Sequence, residues 1–360
     1  MLGVMRDSEV ALRAAVSALP AYVPGARATR GGAPVAKLSS NESPFDPHPA
    51  VLAAAQQAVG KVNRYPDIYA GELVEAVAAL HGLGPSSVVA GNGSVAVLAH
   101  VLEAVCEPGD EVVFAWRSFE AYPIITAVAG ARPVRVPLTE EGRHDLPAMA
   151  AAVTTRTRAV LLCSPNNPTG PALRDAELRE FLAAVRDDVL VVLDEAYAEF
   201  VRDPGAADGR GLLETWPNLV VLRTFSKAYG LAGLRVGYAL AATRLAAGIR
   251  AVSTPFGVNA VAQAAAVAAL GVRRELLGRV SELVAERTRV TDVLAGLGHR
   301  VPDPQGNFVW LGLAQRSAAF AEHARAAGVL VRPFPGEGVR VTVGERGEND
   351  AFLSAVRDWA

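Results

Sequence analysis

The sequence predicts an α/β protein: a mainly parallel central sheet with helices on both faces, joined to a smaller α+β domain. Three observations carry this. Between Ser87 and Ala241, short β-branched runs alternate with longer helical patterns. After Pro255 that alternation stops, and a long helical stretch takes over at roughly 260–297. The chain has 360 residues, 51% of them hydrophobic, enough for one large core and a second, smaller one.

The strands are expected at 88–89, 111–114, 133–136, 158–163, 189–193, 219–223 and 235–240. Helical patterns such as 94–106 and 175–186 separate many of them. Continuous apolar runs flanked by helices mark strands buried on both faces of a parallel sheet. Beyond the long helix, strand candidates at 307–311 and 339–343 alternate with helices at 317–327 and 349–359, an α+β pattern. The large domain is therefore placed at 35–254. Residues 1–34 and 255–360 supply an N-terminal segment plus the small C-terminal domain, with Gly31-Gly32-Ala33-Pro34 as the expected hinge.

A formal net charge of −2 gives no reason to expect nucleic-acid or anionic-membrane binding. Cys106 and Cys163 sit in apolar runs, so buried free thiols and a reducing compartment are expected. The first ten residues carry Arg6, Asp7 and Glu9 and no apolar signal region, and the alanine-rich stretches are too short to cross a bilayer. The expected location is cytoplasmic.

Ligands of such sheets bind where strands end and loops begin, and the unusual residues of this chain fall there. Lys227 is one of only three lysines, against 32 arginines. Arginine cannot form a Schiff base, because its guanidinium stays protonated. Thr224 and Ser226 precede this lone amine and Arg235 follows eight residues on, a set that suits pyridoxal 5'-phosphate (PLP). A surface lysine after a strand is the plainer reading. Asp194 closes the run 189–193, and a buried carboxylate needs a partner. A pyridinium nitrogen is one such partner; an acidic helix start is the other reading. Tyr197 could hydrogen-bond a phenolic oxygen.

Ser164-Pro165-Asn166-Asn167-Pro168-Thr169-Gly170 is a rigid turn that presents the Asn167 amide with little freedom. Gly91-Asn92-Gly93-Ser94 leads into a helix whose first N–H groups suit a phosphate. Phe119 could stack on a flat ring or serve the core equally well. Arg340 lies in a strand after a glycine-rich loop and suits a substrate carboxylate, with Asn307 and Arg332 as neighbours.

Together with Leu19-Pro20-Ala21-Tyr22-Val23-Pro24-Gly25, Ser40-Asn41-Glu42-Ser43-Pro44-Phe45 and Asn63-Arg64-Tyr65-Pro66-Asp67, these motifs resemble the fold-type I PLP-dependent aminotransferases. The resemblance is to the histidinol-phosphate aminotransferase subfamily, and within it to the actinobacterial aromatic (phenylalanine) aminotransferases. It implies the PLP-dependent transferase fold type I and a homodimer with shared active sites, Tyr65 reaching the site of the second copy. It implies that Lys227 holds the cofactor covalently and then shuttles the substrate proton. Asp194 would pair with the pyridine nitrogen, Asn167 and Tyr197 would contact the phenolic oxygen, and Phe119 would stack. Gly93, Ser94, Val95, Thr224, Ser226 and Arg235 would hold the phosphate. Arg340 would take the α-carboxylate, while Tyr22, Asn41, Tyr65, Asn307 and Arg332 would line the substrate side.

Two departures from the subfamily pattern point to the aromatic branch. Val95-Ala96 stands where many histidinol-phosphate enzymes carry Asp-Glu, and Arg117-Ser118-Phe119 replaces a Pro-Thr-Tyr turn. Losing polar groups penalises a phosphate-bearing substrate more than an aromatic ring. The implied reaction is ping-pong transfer of the amino group of an aromatic L-amino acid, phenylalanine foremost, to 2-oxoglutarate. The alternatives are histidinol-phosphate transamination, a related PLP-dependent decarboxylase, and a protein that holds PLP as a regulatory ligand.

Overall fold

The computed structural model describes residues 10–17, 19 and 36–359. Tyr22 and the expected hinge at 31–34 lie outside the described residues. Strands are numbered in chain order: β1 Ala36–Lys37, β2 Val88–Gly91, β3 Glu111–Trp116, β4 Arg132–Pro137, β5 Thr157–Cys163 and β6 Leu190–Asp194. Then follow β7 Leu219–Thr224, β8 Gly237–Ala241, β9 Phe308–Leu311, β10 Val329–Leu330, β11 Arg332–Phe334 and β12 Gly338–Thr342.

A seven-stranded sheet in the order β2-β8-β7-β6-β5-β3-β4 forms the centre. Its strands run parallel except β8, which is antiparallel to both neighbours. Every residue of β6 and β8 is buried, as the unbroken apolar runs require, whereas the edge strand β4 is largely exposed. Register aligns the strand tips: Cys163 of β5 pairs with Asp194 of β6, which pairs with Leu222 of β7. The C-terminal ends of the central strands thus meet along one rim.

The helix Ser94–Val105 lies close over this sheet. Gly237 in β8 makes room for it, since a Cβ there would sit 2.5 Å from the backbone nitrogen of Ser94.

A second sheet, in the order β11-β12-β9, is antiparallel and surrounds its own core of Val309, Leu311, Val339, Val341 and Phe352. Thr342 N donates to Leu38 O at 2.9 Å, and β1 pairs in parallel with β10, so the chain just after residue 35 is tied to this smaller sheet.

The expected long helix is two helices, Ala260–Gly271 and Arg273–Gly296. The break falls at Val272 (φ −107°, ψ 22°), directly after a glycine that holds helical geometry weakly. The alanine-rich first piece packs against the helices Pro49–Val59 and Gly71–His81, whose short side chains permit close approach. Among the described residues no helix is long and apolar enough to cross a membrane.

Candidate active site

A cleft of about 300 Å³ opens at the rim where the central strands end, and the small sheet forms its opposite wall. Asp194, the last residue of β6, is 7% exposed. Its Oδ2 accepts a hydrogen bond from the Tyr122 hydroxyl at 3.0 Å. Its Oδ1 is buried with no partner. Burial raises the carboxyl pKa from an ordinary 3.8 to about 6, with the Tyr122 bond opposing.

Lys227 follows β7 on a turn whose flanks are fixed by Phe225, which packs on Tyr229 and Tyr238 at ring separations of 4.9 and 5.7 Å. The half-buried amine donates to the backbone oxygens of Ser40 and Asn41, at 3.3 and 3.0 Å. Loss of solvent lowers its pKa to about 7, and repulsion from Arg340 and Arg235 adds to the shift. A large fraction of this amine is therefore neutral near neutral pH.

Tyr197 is buried, and its hydroxyl accepts from Asn41 Nδ2 at 3.0 Å. Burial raises its pKa to about 12, so it stays a proton donor. Asn41 adopts a left-handed backbone conformation (φ 51°), which asparagine tolerates better than most residues. Its backbone N–H donates to Thr342 Oγ1 at 2.8 Å, and that hydroxyl donates back to Asn41 Oδ1 at 3.0 Å.

In the proline-rich loop, Asn166 is the rivet. Its Nδ2 donates to Thr169 Oγ1 and Arg117 O, at 2.7 and 3.1 Å, while Oδ1 accepts from Ser118 Oγ at 2.8 Å. Asn167 beside it faces the cleft. Its Oδ1 accepts from Arg340 Nη1 at 2.6 Å, which orients the amide and leaves Nδ2 as its donor end.

Ser94 and Val95 begin the helix Ser94–Val105, which has no acidic residue in its first turn and no side-chain cap. Gly93, in the left-handed region at φ 86°, leads into it. A Cβ on Gly93 would lie 2.4 Å from Arg235 Nη2, so only glycine lets the guanidinium lie over the helix start. Arg235 Nη1 also donates to Ser226 Oγ at 3.2 Å, and Thr224 lines the same corner. Helix N–H groups, hydroxyls and a guanidinium together form an anion cup.

Phe119 forms a flat, half-buried wall and meets Tyr122 edge to face at 5.6 Å. On the far side stand Arg332, Phe334 and Arg340 from β11 and β12.

Three predicted residues lie elsewhere. Asn307 is buried behind Glu42, donating to its backbone oxygen at 3.5 Å, and does not line the cleft. Asn41 acts from behind through Tyr197 and the Lys227 amine. Tyr65 is 83% exposed with its ring stacked on Phe256 at 4.7 Å, outside the cleft of its own chain. Sequence reasoning missed Ser39, Glu42, Glu120, Tyr122 and Phe334. Tyr122 carried a signal, because it stands three residues after Phe119 in the same aromatic-rich segment that follows β3.

These parts fit PLP. The orphaned Asp194 oxygen offers an acceptor to a ring N–H, the cup offers a phosphate site, and Lys227 offers a neutral amine. The described residues contain no cluster suited to a metal ion.

A strand-end amine, a buried carboxylate and a phosphate cup on an α/β sheet define a class of enzymes that work through a bound aldehyde cofactor. Residues 33–356 match the family Aminotransferase class I and II, and the chain belongs to that family. It is 54% identical to the aromatic amino acid aminotransferase of Streptomyces avermitilis, over 97% of each chain. It is 51% identical to the aromatic amino acid aminotransferase of Streptomyces coelicolor, over 99% of each. Among solved structures it is similar to histidinol-phosphate aminotransferase from Sinorhizobium meliloti in complex with pyridoxal-5'-phosphate. That match has a TM-score of 0.86 and 28% identity, and covers 97% of this chain and 98% of the other.

Proposed function

We propose that the chain is a PLP-dependent transaminase that moves the amino group of an aromatic L-amino acid, phenylalanine foremost, to 2-oxoglutarate. The products are the aromatic 2-oxo acid and glutamate. The observation that carries the aromatic reading is the state of Arg332. Its Nη2 reaches both oxygens of Glu120, at 3.1 and 2.9 Å, so this cation on the substrate side of the cleft already holds a carboxylate, which disfavours a second anion there. Phe119 and Phe334 offer apolar surface in the same cleft. The names of the relatives at 51–54% identity support the same reading.

PLP, when bound, supplies an electron sink for the pair left at the substrate Cα. The rest of the work falls to the chain. Arg340 grips the α-carboxylate and orients the substrate. The Lys227 amine, easily deprotonated in this site, would accept the substrate Cα proton as general base. Asp194 Oδ1 accepts the ring N–H, and Tyr122 keeps the other oxygen in place. Asn167 Nδ2 and the Tyr197 hydroxyl donate to the phenolic oxygen. Ser94, the N–H of Val95, Thr224, Ser226 and Arg235 hold the phosphate, with Gly93 giving the guanidinium room.

We further propose a homodimer with shared sites. Exposed Val62, Tyr65, Ile68, Tyr69 and Phe256 support it, because apolar surface of this kind favours a partner. Tyr65 then reaches the second copy's cleft. The test of function is a panel of amino donors against 2-oxoglutarate: phenylalanine, tyrosine, tryptophan and histidinol phosphate. Phenylalanine is expected to give the highest kcat/KM. Preference for histidinol phosphate, or release of carbon dioxide in place of amine transfer, overturns the reading.

A further inference from the structure

Two arginines stand side by side on the small-sheet wall, and one of them holds a carboxylate. Arg332 and Arg340 are direct cross-strand neighbours in the β11–β12 ladder, and both line the cleft. Arg340 donates to neutral acceptors, Asn167 Oδ1 at 2.6 Å and the backbone oxygen of Ser39 at 2.9 Å. Arg332 donates to a carboxylate, Glu120. That carboxylate comes from the opposite wall, directly after Phe119 and at the start of the helix Ala121–Val128. The ion pair therefore spans the cleft. The Arg332 side chain is 8% exposed and that of Glu120 28%.

We propose that Glu120 is a specificity-determining residue: by engaging Arg332 it selects uncharged aromatic side chains over side chains that end in a carboxylate. The proposal rests on the transaminase reading above. Every amino-acid substrate brings the same α-carboxylate, so discrimination among them has to arise where the side chains end. An anionic side chain that approaches Arg332 meets the Glu120 carboxylate on the same guanidinium, and like charge opposes it. A neutral ring asks nothing of the pair and packs beside Phe334, whose ring lies 5.6 Å from the Arg332 guanidinium carbon. The amino acceptor also ends in a carboxylate. Glu120 is the more exposed member of the pair and can turn toward water, so this acceptor is weakened without being shut out. One carboxylate thus sets the balance between the two half-reactions.

The test uses the PLP-loaded enzyme and Glu120→Gln, which keeps the shape and removes the charge. Efficiencies are measured for phenylalanine, tyrosine and glutamate. Binding of succinate, an unreactive dicarboxylate, is followed by titration of the cofactor absorbance. The ratio of anionic to aromatic efficiency is expected to rise about tenfold or more, through KM and not kcat, as follows from the strength of hydrogen bonds between charged groups. Succinate is expected to bind tighter by a similar factor. In an Arg332→Gln background, Glu120→Gln is expected to leave both quantities where they are. Glu120→Asp, which reaches Arg332 less well, is expected to fall between wild type and Glu120→Gln. An unchanged ratio with unchanged succinate affinity overturns the proposal, as does an equal change for all three substrates. If wild type prefers histidinol phosphate, the aromatic reading fails first. The succinate titration still tests Glu120 separately, and equal affinity in wild type and variant then overturns this inference on its own.

Discussion

On the large-sheet wall of the cleft, each functional group stands at a strand tip or just beyond it. Asp194 ends β6, Lys227 follows β7, and Phe119 and Asn167 follow β3 and β5. On the small-sheet wall the groups lie within strands, Arg332 in β11 and Arg340 in β12, and residues of the opposite wall hold them. The first wall is set by sheet register, a property of one core. The second is set by hydrogen bonds and ion pairs that cross the cleft. Cofactor binding therefore depends on a rigid rim, while substrate choice depends on contacts that a single side chain can reset.

Lys227→Ala strikes the rim hardest. Transamination is expected to fall at least about a thousandfold, with loss of the visible band of covalently held PLP. Persistence of that band would show that another amine holds the cofactor.

Asp194→Asn is expected to cost about a hundredfold or more in kcat, because a neutral amide cannot stabilise a protonated ring nitrogen. It also separates function from stability. The folded-state pKa of Asp194, about 6, lies above its ordinary 3.8. The folded protein thus holds this proton more tightly, and the group's favourable contribution is lost as pH rises from about 4 through about 6. Above that window the buried charge destabilises the cofactor-free protein, by up to about 3 kcal/mol. Urea denaturation of cofactor-free Asp194→Asn should show a gain of up to that size at pH 8 and none at pH 4. Equal stabilities at pH 8 would mean that water reaches the carboxylate.

Arg340→Gln is expected to have the smallest effect of the three, a rise of roughly ten- to a hundredfold in KM for donor and acceptor alike. Equal factors for phenylalanine and glutamate would assign the α-carboxylate to Arg340. Unequal factors would mean that the two arginines share their tasks.

The rim was largely legible in the sequence. A polar residue that closes an apolar run needs a reason, and Asp194 supplied one. A lone lysine among arginines supplied another. The inner strands of the central sheet were legible because strands buried on both faces read as unbroken apolar runs. What the sequence hid was pairing at a distance. Arg332 and Glu120 are 212 positions apart, Arg340 and Ser39 are 301, and Tyr122 and Asp194 are 72. No local pattern encodes such contacts, so Arg332 read as one more cation on the substrate side. Helices Pro49–Val59 and Gly71–His81 went unmarked for a different reason. They lie before the first strand of the central sheet, outside the alternation of strands and helices that marks the rest of the large domain.

The ladder register of β11 and β12 has one more consequence. It seats two arginines directly opposite each other on neighbouring strands, where like charges repel. Left alone, that hairpin would be under internal tension. Glu120 and Asn167, both borrowed from across the gap, relieve it. The need of two neighbouring cations for acceptors is thus met from the facing wall, and those contacts tie the jaws of this enzyme together.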